Sequence, residues 1–184
     1  MPNGFEKAIL DAAVSAQEFH IEMSGYYLWY SHESYLQNYI AVKVFGNQGF
    51  YTYVDASPKK IREGSDSISK RPPKKIAQRF DLVFWHKTKN QPKAIVEIKR
   101  AWNQTPVIND VKKISNYITK KDAGGATGYV LYYTHDSTQL ITNRFNRVND
   151  TMRNQLDLHG LTHPVDSYIC KSADLPWGFA LFRC

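Results

Sequence analysis

The residues best suited to chemistry are Asp81, Glu97 and Lys99, in the stretch Arg79 to Trp102, RFDLVFWHKTKNQPKAIVEIKRAW. Two apolar runs, 80–85 and 94–98, flank the polar stretch 86–93, which contains Asn90 and Pro92. That pattern predicts a β-hairpin. Strand side chains alternate with a period of two, so Glu97 and Lys99 project from one face. A hairpin symmetric about Lys89 sets Asp81 opposite Glu97. Two carboxylates and an ammonium then converge on one patch of an otherwise apolar sheet.

Like charges directly opposite each other destabilise a strand pair, and half-buried carboxylates are costly unless they are paired or bind a metal. A hard divalent cation relieves the repulsion. Mg²⁺ commonly takes one or two carboxylates, completed by substrate phosphate and water. Lys99 then stands where it can orient a water or meet phosphate as a point charge. The competing account is a solvated ion pair of Glu97 and Lys99 on an edge strand, and the hairpin alone leaves both open.

Asp81, followed by Glu97-Ile98-Lys99 closing a hydrophobic strand, resembles the PD-(D/E)XK nuclease superfamily. The residue before the first acid is Phe80, not proline, a departure that leaves the chemical groups intact. A second acidic-x-Lys triplet, Asp110-Val111-Lys112, lies in a helical pattern. Residues two apart on a helix point about 200° apart, so that triplet does not form a shared site. The resemblance covers roughly Tyr27 to Tyr133. It implies a Mg²⁺-dependent phosphodiesterase, with Mn²⁺ as a substitute, in which Asp81 and Glu97 hold the metal. The backbone carbonyl of Ile98 is then a further ligand and Lys99 positions the attacking water.

The elements that must carry these groups are legible in outline. An amphipathic helix is predicted over Phe5 to Met23, with Phe5, Ile9, Ala12, Ala13, Ala16 and Phe19 inward and Glu6, Lys7, Asp11 and Glu18 outward. A second is predicted over Tyr27 to Val44, its buried face defined by Trp29, Leu36 and Ile40. Glu33 falls within about 60° of all three, where a lone carboxylate needs a partner or a raised pKa. A rim salt bridge is one explanation. In the resembled family a helix before the sheet often offers a Glu to the metal, and Glu33 occupies that place in chain order. His32-Glu33 is no zinc motif, because position 36 is Leu.

A strand over Phe50 to Val54 precedes the hairpin, and a helix over Pro106 to Lys121 follows it. The glycine cluster 124–128 then leads into a strand over Tyr129 to Tyr133, parallel to that of Glu97 through a right-handed crossover. Lys113 and Tyr117, one helical turn apart, are placed to border the site. Asp136 or Ser137 caps a further helix with Leu140, Ile141, Phe145, Val148, Met152 and Leu156 inward and Arg144, Arg147 and Arg153 on its surface. Strands near 165–171 and 178–183 close the chain. The expected fold is α/β: an αβββαβ restriction-endonuclease-like core with a mixed central sheet, an extra N-terminal helix, and a C-terminal helix plus two strands.

The formal net charge is +7 over 184 residues, and its distribution carries more than its total. Residues 57–121 hold seventeen basic and five acidic side chains, a local +12, whereas 1–56 hold two and six and 122–184 hold five and six. Concentrated basic charge marks a polyanion partner. Much of it lies in Ser57 to Lys75, read as a flexible basic arm whose Lys59, Lys60, Arg62, Lys70, Arg71, Lys74 and Lys75 contact phosphates. Arg100, ending the strand of Glu97, joins that nucleic-acid surface.

Length and a 42% hydrophobic content predict one domain over 1–184. No apolar run approaches a membrane span, no signal peptide is evident, and two cysteines form no metal-ligand spacing. A cytoplasmic location is expected, and a homodimer is compatible with this reading. The expected activity is hydrolysis of nucleic-acid phosphodiesters, with DNA favoured over RNA. The rivals are a catalytically silent nucleic-acid-binding module and an accessory protein of a defence system or mobile element on the same fold.

Overall fold

The alternation along 80–100 does produce a hairpin, and the rest of the chain packs around it. In a computed structural model, which describes residues 4–65, 79–119, 123–156 and 163–184, strand β2 (Phe80–Trp85) and strand β3 (Pro92–Arg100) pair antiparallel. Leu82 faces Val96 and Val83 faces Ile95, the register symmetric about Lys89. One step further along the same register sets Asp81 opposite Glu97.

Strand β1 (Tyr51–Ala56) pairs antiparallel with β2 and forms one edge of the sheet. Helix α4 (Gln104–Thr119) carries the chain from β3 to the parallel strand β4 (Thr127–His135). The closing strands β5 (His163–Cys170) and β6 (Trp177–Arg183) are antiparallel, and β6 inserts between β4 and β5. The order β1-β2-β3-β4-β6-β5 makes a mixed six-stranded sheet, so the chain is an α/β protein. α4 lies tight on β4: a Cβ at Gly128 would collide with the side chains of Ile114 and Ile118.

Side-chain alternation divides the core in two. Helix α1 (Gly4–Ser24) and helix α2 (Glu33–Gln48) cover the face of Leu82, Phe84, Val96, Ile98 and Leu131. α4 and helix α5 (Thr138–Thr151), which runs on into a π-helical turn (Met152–Leu156), cover the face of Val83, Ile95, Val130 and Tyr132. Ser137 caps α5 by accepting from the Leu140 N–H. Among the described residues no helix is long and apolar enough to cross a membrane.

Four expectations are corrected. The predicted second helix is divided: a 3₁₀ turn (Leu28–Tyr30) comes first, and His32 is the N-cap of α2. Glu33 is therefore in the first helical turn, and Trp29 lies outside the helix. The start of the predicted flexible arm is ordered as helix α3 (Pro58–Glu63), because Ser57 caps it and both Pro58 and Ile61 are buried. Glu6, expected outside, is buried, since Tyr129 Oη donates to it and Arg183 pairs with it. Phe19 and Leu140, expected inside, are exposed, each lying at the margin of its helix's apolar stripe.

Candidate active site

Glu97 and Lys99 lie two residues apart on β3 and face α4. Because the crossover returns α4 antiparallel to β3, helix positions three apart meet strand positions two apart in reverse order. Lys113 Nζ sits 2.5 Å from Glu97 Oε1, and Lys99 Nζ sits 3.2 Å from Asp110 Oδ2. Lys113 also donates to the Arg79 carbonyl at 2.8 Å and lies 5.1 Å from the centre of the Phe80 ring. Its predicted place beside the site is thus observed, with a direct contact to Glu97.

Asp81 stands at the end of the β2–β3 ladder. Its Oδ2 accepts the Ile98 N–H at 2.6 Å, the next backbone donor on that edge after the Leu82–Val96 pair. Its Oδ1 accepts from Gln37 Nε2 at 3.0 Å. Gln37 lies one helical turn beyond Glu33, so the same face of α2 presents both. Glu33 is half-buried and close enough to feel the charges of Asp81, Lys99, Arg100 and Asp110.

Burial sets the protonation of these acids. Glu97 is only 4% exposed; burial first, and Asp81 second, push its pKa up to about 8 while Lys113 pulls against both. Asp81 is raised by burial, opposed by the Ile98 N–H and the two lysines. Glu33 is raised by burial and by Asp81. Burial pulls Lys99 down, but the charge and hydrogen bond of Asp110, with Glu33 and Asp81, leave it raised. Four carboxylates against the two lysines leave two surplus negative charges, the charge of one divalent cation. Arg100 offsets one of these in its effect on Glu33.

Among the described residues no three His, Cys, Asp or Glu side chains are gathered closely enough to share a metal ion. Lysines, Gln37 and a backbone N–H satisfy the acids in this arrangement. The donor set is nevertheless one of hard oxygens, and Mg²⁺ requires only one or two carboxylates from the protein. Asp81 and Glu97 fit that requirement.

The predicted nucleic-acid residues fare differently. Lys59, Lys60 and Arg62 lie on α3, where Lys59 pairs with Glu63 at 3.7 Å. Lys70, Arg71, Lys74 and Lys75 lie outside the described residues. Arg100 has a structural task instead: its Nη1 donates to the carbonyls of Leu28, Trp29 and Ser31 at 3.3, 2.8 and 2.6 Å. It thereby ties the end of β3 to the turn that delivers Glu33. Arg144, expected on the surface, pairs with Asp136 at 2.6 Å and donates to Thr134 and His135.

Two further site residues are not apparent from the sequence pattern. Gln37 is signalled there only by its four-residue spacing from Glu33. Asp110 belongs to the helical triplet that does not form a shared site, and Lys112 is indeed exposed; Asp110 alone turns inward.

Compared with protein-family models, with curated proteins and with solved structures, the chain matches none.

Proposed function

We propose that this chain is a divalent-metal-dependent phosphodiesterase acting on nucleic acid, DNA in preference to RNA, with a PD-(D/E)XK-like core. The observation that carries the proposal is the meeting of Asp81, Glu97 and Lys99 on one sheet face, with Glu33 and Gln37 reaching it from α2. The order α2-β1-β2-β3-α4-β4 supports the same reading, with α3 as an addition after β1.

Asp81 and Glu97, aided by Glu33 and the Ile98 carbonyl, would hold Mg²⁺ or Mn²⁺. Such an ion supplies Lewis acidity toward a phosphoryl oxygen and acidifies a bound water. The protein's own groups set the stage. Gln37 and the Ile98 N–H fix the Asp81 carboxylate in one orientation. Asp110 holds the Lys99 ammonium at the site as a cation, where it can meet a phosphate or a water. Lys113 holds Glu97 in place and must release that oxygen for a cation to use it.

That Lys113–Glu97 contact also favours a second reading, a nucleic-acid-binding module whose lysines replace the metal permanently. Incubation with plasmid, linear and single-stranded DNA and RNA, each in Mg²⁺, Mn²⁺ or EDTA, separates the two. Cleavage should require the metal and disappear in Asp81→Asn and Glu97→Gln, while Glu33→Gln should weaken metal dependence but keep binding. Cleavage in EDTA, or in both Asp81→Asn and Glu97→Gln, refutes the metal site. Binding with no cleavage under any condition selects the silent module.

A further inference from the structure

A groove of about 450 Å³ runs along the edge strand β1 and is lined by aromatic rings and lysines. Tyr51 and Tyr53 stand on one side, 53% and 56% exposed, with Trp85 between them and α3. Lys60, Lys87 and Lys89 surround the rings, with Glu63 as the one acidic residue of the lining. Among the described residues none of these three lysines pairs with a carboxylate, since Glu63 pairs with Lys59. Lys87 instead lies over the Phe45 ring at 4.6 Å and the Tyr51 ring at 5.8 Å.

We infer that this groove is a stacking site for unpaired bases of a single-stranded nucleic acid, leading into the candidate active site. The inference rests on the nucleic-acid reading above and adds which form of the polymer is held, and where.

Three features point to this occupant. Ammoniums interleaved with exposed aromatic faces suit a strand whose phosphates meet charge while its bases stack. In a duplex the bases are already stacked on their neighbours, so such rings have a use only for unpaired ones. Trp85 is 7% exposed, yet its indole Nε1 has no acceptor among the described residues. An indole N–H is a donor only, and a base carbonyl or ring nitrogen in the groove would satisfy it.

Position gives the third feature. Tyr51 pairs with Trp85 and Tyr53 with Val83, so these rings share the sheet face on which Asp81 lies. Ala56, also in the lining, pairs with Phe80, the neighbour of Asp81. At about 3.4 Å per strand residue, Trp85 is about 14 Å along β2 from Asp81, roughly four nucleotides of stacked strand. A strand lying in the groove would therefore deliver a phosphodiester to Asp81 and Glu97.

The test compares fluorescently labelled oligothymidylate with an abasic oligomer of equal length, bound in EDTA so that cleavage plays no part. The wild type should bind the thymidylate about 5- to 150-fold more tightly for each base stacked. Tyr51→Ala/Tyr53→Ala, which alters exposed side chains, should erase that preference and leave abasic binding unchanged. Lys60→Gln/Lys87→Gln/Lys89→Gln should weaken both oligomers alike, reducing the salt slope by about 0.7 for each phosphate no longer neutralised. Equal wild-type affinity for the two oligomers, no binding to either, or a preference that survives the tyrosine substitutions overturns the inference. Metal-dependent cleavage is scored separately, so failure of the stacking site and failure of the phosphodiesterase reading remain distinguishable.

Discussion

Replacing Glu97 with glutamine keeps the shape of the side chain and removes its titration. The folded-state pKa, about 8 against an ordinary 4.5, means the folded protein holds a proton here that the unfolded chain gives up. Stability from this group is therefore fully present below pH about 4.5 and is lost as pH rises to about 8. At 1.36 kcal/mol per pKa unit the whole shift corresponds to about 5 kcal/mol. The Lys113 ion pair resists that loss, so about 3 kcal/mol is the working figure for this buried pair. For a domain of this size that is roughly 6–12 °C in Tm. Thermal melts of the metal-free protein between pH 5 and 8.5 should show wild-type Tm declining with pH, and Glu97→Gln losing most of that decline. Asp81 and Glu33, also raised by burial, keep a residual slope in both proteins, so the difference between the curves isolates Glu97. A divalent cation prefers the deprotonated acid, and at 100-fold over its Kd should restore about 2.7 kcal/mol to the wild type at pH 8. Parallel curves for the two proteins from pH 5 to 8 would refute the reasoning, because Glu97 would then be ionising as if exposed.

Arg100→Leu should lower Tm by removing a charged donor from three carbonyls, at a cost of roughly 2 kcal/mol. Nucleic-acid affinity should change less than for a residue that meets phosphate; a large drop in salt dependence with no loss of stability would return Arg100 to the binding surface. Neutralising Lys59, Lys60, Arg62, Lys70, Arg71, Lys74 and Lys75 in a Glu97→Gln background should reduce the salt slope of log K by about 0.9 for each duplex phosphate no longer neutralised, or about 0.7 on single strands. Affinity should fall across all sequences alike, since phosphate contacts carry no sequence information. An unchanged slope would locate the polyanion surface elsewhere, with exposed Arg147 and Arg153 of the C-terminal helical segment as the next residues to replace.

The sequence by itself determined the hairpin and its register. A strand has a side-chain period of two, so a slip of one residue would have turned Val83 and Ile95 away from the core they share. From that register the opposition of Asp81 and Glu97 follows, and so does the common face of Glu97 and Lys99. The strand–helix–strand order likewise determined a parallel β4, because the crossover rule admits one hand. What only the tertiary structure decided is the partner of each charge. Nothing along the chain shows that α4 sits so that Lys113 meets Glu97 and Asp110 meets Lys99, since that offset depends on how closely Gly128 lets the helix approach the sheet. Glu6 has the sequence pattern of a solvent-facing acid, and only β4 and β6 bring Tyr129 and Arg183 to it from the other end of the chain. Arg100 has the pattern of a phosphate-binding residue for the same reason: its acceptors, the carbonyls of Leu28, Trp29 and Ser31, are backbone groups that belong to no side-chain pattern. Periodicity records which face a residue occupies; which groups wait across that face is set by packing between elements distant in sequence.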